Sequence, residues 1–342
     1  MPAASRLSTV DVLRGLAALS VSWFHFTNGN QAFLADGWLK ASGTVGWLGV
    51  EVFFVISGFI IPLSLDRGSY ALRDYGTFVL KRVIRLDPPY LAALAIILLL
   101  GWRSAQLPGF RGAPQDVSAA HVALHLGFVN VFFGYPWLSP VFWTLALELQ
   151  YYLVIGLLFP LIVARSRLVR ALVIALLPAT AFAFANDAFL CRWLPLFGIG
   201  IAVFERHTGR VTAGTFIALV GWCVICATWT HGPIVAAVAL GTGVLLAFAT
   251  IPAAGAAGWL GAVSYSLYLL HVPIGGRIVN LGERLDVTGG MQLVVLAAAV
   301  AASLAAAWLL FILVERPAQR WSSRWKYHRA ALAHLPAGAQ VA

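Results

Sequence analysis

Apolar runs of about twenty residues recur along almost the whole chain, each long enough to cross the hydrocarbon core of a bilayer as a helix. In hydrocarbon every backbone N–H and C=O must find a partner within the protein, so such runs fold as helices. The spans are expected at 8–28, 46–65, 84–101, 141–164, 168–185, 190–204, 212–229, 232–251, 257–278 and 291–314. The predicted fold class is therefore all-α, a polytopic membrane helix bundle of about ten transmembrane helices. With 61% hydrophobic and 11% charged residues in 342, the composition excludes an ordinary soluble domain. Segment 118–134 is shorter and more polar, and is read as partly embedded or interfacial. The first apolar helix carries Asp11 and Arg14, has no small-residue cleavage site, and is expected to be retained.

The formal net charge of +10 is informative through its distribution. On this span count, sixteen of the 23 Lys and Arg residues fall in segments on the side of the N-terminus and five on the other. Arg111 is among the five and Arg329 among the sixteen. Cytoplasmic loops carry such an excess, so both termini are expected in the cytosol; the membrane expected is a bacterial inner or plasma membrane, which the charge pattern itself does not specify. The basic excess then reads as an orientation signal and an attraction to anionic lipid, not as a nucleic-acid footprint. Cys223 and Cys226 form a C-x-x-C without a second Cys/His pair at metal spacing, so all three cysteines read as small core residues and no metal is expected.

The segment DVLRGLAALSVSWFHFTN, Asp11 to Asn28, holds the first candidate residues. Arg14 and His25 are eleven residues apart, which is about 20° past three helical turns, so they share one face about 16 Å apart along the axis. Inside an apolar helix a guanidinium and an imidazole line a polar cavity or are otherwise satisfied. Arg14 snorkelling to lipid phosphate and His25 bonded to a carbonyl is the plainer alternative, and both stay open at this point. Asp11 is expected to hold Arg14 by an i, i+3 contact.

Further ionisable residues sit in or beside the spans. The second span, GVEVFFVISGFIIPL, contains Glu51, Ser57 and Pro62, and Gly and Pro within a span suit an opened helix beside a cavity. Arg82 and Arg85 in LKRVIRLDPPY share a helix face at the cytosolic edge, where guanidinium matches phosphate by paired hydrogen bonds; lipid contact competes with that reading. In WTLALELQYY, Glu148 lies five residues beyond Trp143 and is placed to orient an imidazole or bind a hydroxyl, while Trp143 is placed to stack an acceptor. Arg192 is expected to pair with Asp187, and His231 to face solvent. Tyr265, Tyr268 and His271 recur at spacing three in YSLYLLH, which puts them along one helical stripe.

These motifs, in this order, resemble the acyltransferase-3 family of integral membrane acyltransferases. The resemblance rests on Arg14 and His25 with ten residues between them, GVEVFFVISGF, Arg82-x-x-Arg85, Trp143-Thr144-Leu145 with Glu148, and Tyr265-Ser-Leu-Tyr268-Leu-x-His271-x-Pro273. It covers roughly residues 5–320 and implies an acyltransferase-3 membrane domain over 1–320, followed by a basic cytoplasmic tail, 321–342, expected to be disordered. It implies an enzyme that moves an acyl group, acetyl in the first instance, from cytosolic acetyl-CoA or another acyl-CoA to a hydroxyl of a cell-surface carbohydrate or lipid-linked glycan. Under that reading His25 is the catalytic base, with Glu148 and His271 orienting it or the acceptor. Arg14, Arg82 and Arg85 bind the donor phosphates, Trp143 and Tyr268 bind substrate, and Asp11, Glu51 and Ser57 give support.

Two other readings compete. O-acylation of a small-molecule natural product such as a macrolide uses the same machinery on another acceptor. A transporter or flippase, from a different class, would use the embedded Arg, Glu and His as a path, and commonly shows internal repeats. No repeat relates the two halves of this chain, and its embedded charges cluster in the first four spans.

Overall fold

A computed structural model describes residues 3–106, 117–184 and 186–328. Its helices are α1 (Ala3–Asn28), α2 (Trp38–Ala41), α3 (Gly49–Arg67), α4 (Tyr75–Ala105), α5 (Ala119–Leu126), α6 (Phe142–Ile162) and α7 (Arg167–Ala179). They continue with α8 (Leu190–His207), α9 (Ala213–His231), α10 (Pro233–Phe248), α11 (Gly255–Leu270), α12 (Arg277–Arg284), α13 (Gly290–Leu310) and α14 (Arg316–Arg324). No strand occurs among the described residues, and each of the ten expected spans has a helix in its place. Among the described residues, five stretches are long and apolar enough by themselves to cross a membrane: Trp38–Arg67, Leu72–Ala105, Phe142–Ile162, Ala213–His231 and Gly290–Arg324. Segment 118–134 holds only the short α5 and one 3-10 turn, Asn130–Phe133.

Helix α3 runs between two groups of helices. On one side it meets α1, which packs along α11, and α11 meets α13; on the other it meets α8, which packs against α7, α9 and α10. With lipid outside, apolar side chains gain little from leaving it, so close backbone approach at small residues carries much of the helix association. Gly58 and Gly200 show this reciprocally. A Cβ added at Gly58 would stand 2.1 Å from the Phe197 carbonyl oxygen, and one at Gly200 would stand 2.1 Å from that of Val55. Gly15 and Gly261 bring α1 onto α11 in the same way.

Two helix ends are π-helical. His271–Gly276 joins α11 to α12, and Phe311–Glu315 joins α13 to α14. Pro273 lies in the first of these and has no N–H to give to the carbonyl four residues back, which favours the wider turn there. In the expected 321–342 tail, the helix continues through Arg324 and Tyr327 is buried. The Ser322 hydroxyl donates to the Lys81 carbonyl (3.0 Å), and the His328 amide donates to Asp74 (2.9 Å). Residues up to 328 thus pack on the start of α4, so the expectation of disorder fails for them; 329–342, including Arg329, lie outside the described residues, as does Arg111.

Because backbone would have to move at the α3–α8 crossing, Gly58→Ala or Gly200→Ala is expected to destabilise the protein by about 1–3 kcal/mol. Thermal unfolding in detergent measures this, and Gly241→Ala, inside α10 with open space around its added Cβ, should raise the midpoint slightly by helix propensity.

Candidate active site

The site is built on α1, α3, α4, α6 and α11. Helix α1 carries Arg14 and His25 on one face, and α11 lies along it. The His25 ring stands 5.1 Å, centroid to centroid, from His271, the first residue of the π turn. His271 is fully buried, and its Nδ1 lies 3.0 Å from the Leu267 carbonyl oxygen. A carbonyl can only accept, so Nδ1 carries the proton and Nε2 is left as an acceptor. That Nε2 is buried and has no hydrogen-bond partner. The pair therefore presents an open acceptor position beside the His25 ring.

A cavity of about 890 Å³ opens among the same helices. Arg14, Arg82 and Arg85 all line it, with Glu148, Tyr152 and Glu315, and its remaining walls are largely apolar side chains of α3 together with Leu86 and Leu145. Among the described residues none of the three arginines forms an ion pair. Arg82 is nearly buried and is partly satisfied by the Ser64 hydroxyl at 3.3 Å and by the ring faces of Phe78 and Tyr152 at 5.2 and 5.3 Å. Its Nε and that of Arg14 have no partner. Three guanidinia converging on one space without carboxylate contacts form an anion-binding arrangement.

The cavity wall includes Phe53, Thr144 and Tyr268, but neither His25 nor His271. Tyr268 is the partition. Its hydroxyl is 2.8 Å from that of Thr144, its ring packs edge-on to Phe53 at 5.6 Å, and on its other side His271 stands 5.9 Å away. Tyr268 thus lines the cavity and stands beside the histidine pair.

The other expected residues fall out as follows. Glu148 faces the cavity and accepts from Tyr152 and, at 3.3 Å, from Ser57, so its partners are hydroxyls and not His25. Ser57 is its hydrogen-bond donor. Glu51 is buried in the first turn of α3 with Oε2 unpartnered among the described residues. Trp143 is not on the cavity wall; it packs against Trp193 at 5.1 Å and Phe54 at 6.4 Å. Asp11 is exposed and makes no ion pair with Arg14, because three residues leave about 60° between their directions, enough to put one outside and the other in the cavity. His231 is covered where solvent exposure was expected: it stacks on Trp193 at 4.4 Å and bonds the Arg192 carbonyl at 2.9 Å. Arg192 does pair with Asp187.

Glu315 is the residue that motif reading passes over. It is buried, lines the cavity and ends the second π turn. Its sequence signal is a carboxylate closing a long apolar run, followed by Arg316 and Pro317. Among the described residues no group of three or more His, Cys, Asp or Glu stands together as metal ligands would.

Comparison with known proteins bears on this geometry. Residues 7–312 match the Acyl_transf_3 family, described as an acyltransferase domain. The chain is 29% identical to the putative membrane-bound transacylase BcsY of Komagataeibacter xylinus, over 94% of this chain and 85% of that protein. It is 30% identical to the exopolysaccharide production protein ExoZ of Rhizobium meliloti, over 67% of this chain and 76% of that one. No solved structure matches. A match over nearly the whole length, on a bundle with five stretches able to cross a membrane, places this chain in the acyltransferase-3 family of integral membrane acyltransferases.

Proposed function

We propose that this protein moves a short acyl group, acetyl in the first instance, from cytosolic acyl-CoA to a hydroxyl of a cell-surface carbohydrate. The observation that carries the reading is the convergence of Arg14, Arg82 and Arg85, without ion pairs among the described residues, on a cavity whose Tyr268 wall stands 5.9 Å from His271 of the His25–His271 pair. The guanidinia suit the phosphates of coenzyme A, and the apolar walls suit its pantetheine arm. The 16 Å or so between Arg14 and His25 along α1 is a span that such an arm can cover. The carbohydrate acceptor is supported by the relative named for exopolysaccharide production. With both termini in the cytosol, the basic end of the cavity lies on the side where acyl-CoA is found.

In the reaction the acceptor hydroxyl gives its proton to His25 as its oxygen bonds to the thioester carbonyl carbon. The carbonyl re-forms as the C–S bond breaks, and the thiolate takes the proton back from the imidazolium, leaving ester and free CoA. His271, with Nδ1–H committed to Leu267, offers its Nε2 lone pair to an N–H of His25 or to the incoming hydroxyl, and so orients one or the other. Glu148 acts within the cavity, holding Tyr152 and Ser57. Tyr268 must move or yield for the acyl carbon to reach His25, and its bond to Thr144 sets the resting position.

Purified protein with radiolabelled acetyl-CoA and glycan acceptor tests the base. His25→Ala is expected to lower transfer by about 10²- to 10⁴-fold with unchanged thermal stability; near-normal turnover would refute the assignment. Arg82→Ala or Arg85→Ala removes a charge-assisted contact, and KM for acyl-CoA is expected to rise about 10- to 100-fold. Tyr268→Phe loses the bond that holds the ring in place, so hydrolysis of acetyl-CoA without acceptor is expected to rise about fivefold to tenfold while KM for the donor stays within about twofold, since the hydroxyl belongs to the passage and not to the phosphate site.

A further inference from the structure

Glu315 stands in the basic end of the cavity without pairing to any of its cations. It lies three residues beyond the last residue of the family match, so membership of the family says nothing about it. Its Oε2 accepts from the Ser266 hydroxyl at 2.6 Å, and its Oε1 accepts from the Gln319 amide at 2.9 Å. Two donors, one on each oxygen, suit an ionised carboxylate. The charges of Arg14 and Arg85 reach it, yet no ion pair forms among them. Ser266 is itself fully buried on α11, and Gln319 is one turn further along α14, so the carboxylate is tied from two sides. The π turn at Phe311–Glu315 is what swings it toward the cavity.

We propose that Glu315 is a positioning residue that sets the net charge of the donor cavity: held off the arginines by Ser266 and Gln319, it leaves them free for phosphate while weakening their hold on spent CoA. This rests on the acyl-CoA reading above. Donor and product carry the same phosphates, so a cavity of three guanidinia with no nearby counter-charge would bind both tightly and release product slowly. A carboxylate in direct contact with an arginine would instead compete with phosphate. Fixing it nearby, in range but out of contact, avoids both.

Coenzyme A titrated calorimetrically into the full-length protein in detergent tests this, with acetyl transfer measured in parallel. Glu315→Gln removes the charge, keeps an oxygen to accept from Gln319, and turns its new amide N–H toward Ser266, whose hydroxyl can accept as well as donate; CoA is expected to bind about tenfold more tightly. In turnover KM for acetyl-CoA falls and kcat falls with it. Ser266→Ala frees one oxygen to reach an arginine, and CoA should bind more weakly. Opposite signs from two neighbouring changes are not produced by a merely structural role. Unchanged or weaker CoA binding by Glu315→Gln, with Arg82→Ala still losing CoA, overturns the inference and leaves the donor reading standing. Failure of the unsubstituted protein to bind CoA at all brings down both. Should Glu315→Gln not fold, Ser266→Ala decides alone, and CoA affinity equal to or above that of the unsubstituted protein overturns the proposal.

Discussion

Three guanidinium groups inside an apolar bundle are the constraint to which the rest of this structure answers. Each costs free energy to remove from water, and like charges close together cost more. The protein meets that cost piecemeal. Arg82 is bracketed by the ring faces of Phe78 and Tyr152 and touched by Ser64, Arg14 stays half-covered on α1, and Glu315 and Glu148 supply negative charge without closing on any of the three. An arrangement built only for stability would pair these groups directly, as Arg192–Asp187 and Arg210–Asp66 are paired elsewhere in the same molecule. Leaving them unpaired gives up stability and keeps an anion site open.

The helices that hold the cations are held in turn by backbone proximity. Gly15 and Gly261 bring α1 against α11, and that contact is what lays His25 beside His271 further along the same two elements. On α4 the guanidinia project from a helix that runs unbroken through Pro88 and Pro89. The Tyr265 hydroxyl donates to the Leu86 carbonyl at 3.0 Å, tying α4 to α11 just before those prolines. Basic rim and histidine pair are thus braced through one shared helix, α11.

Much of this was legible in the residues. Long apolar runs defined the helices, and an eleven-residue separation placed Arg14 and His25 on one face because helical geometry leaves little freedom there. Irregular backbone was not legible. A spacing of three put Tyr265, Tyr268 and His271 on one stripe, but the chain passes into a π turn at His271, and only the two tyrosines line the cavity. The second π turn likewise carries Glu315 into the site from what reads as the edge of a tail. Asp11 and Trp143 stand off the cavity wall for another reason. Adjacency along a helix gives angular neighbours, whereas side-chain contact depends on which partner helix each one meets, and that is a property of the packing.

The partition at Tyr268 bears on which class of membrane protein this is. A carrier moves its cargo from one side to the other through a site that opens alternately to each, so its polar residues need a continuous path. A transferase that leaves its donor's phosphates at one end needs only the acyl carbon to pass. Here the cavity is lined by Arg14, Arg82, Arg85, Glu148 and Glu315, and Tyr268, bonded to Thr144, both lines it and stands 5.9 Å from His271. Three arginines that form no ion pair among the described residues, on one cavity with two imidazoles close to its Tyr268 wall, suit group transfer, the activity of the family to which this chain belongs, better than the continuous path a carrier needs.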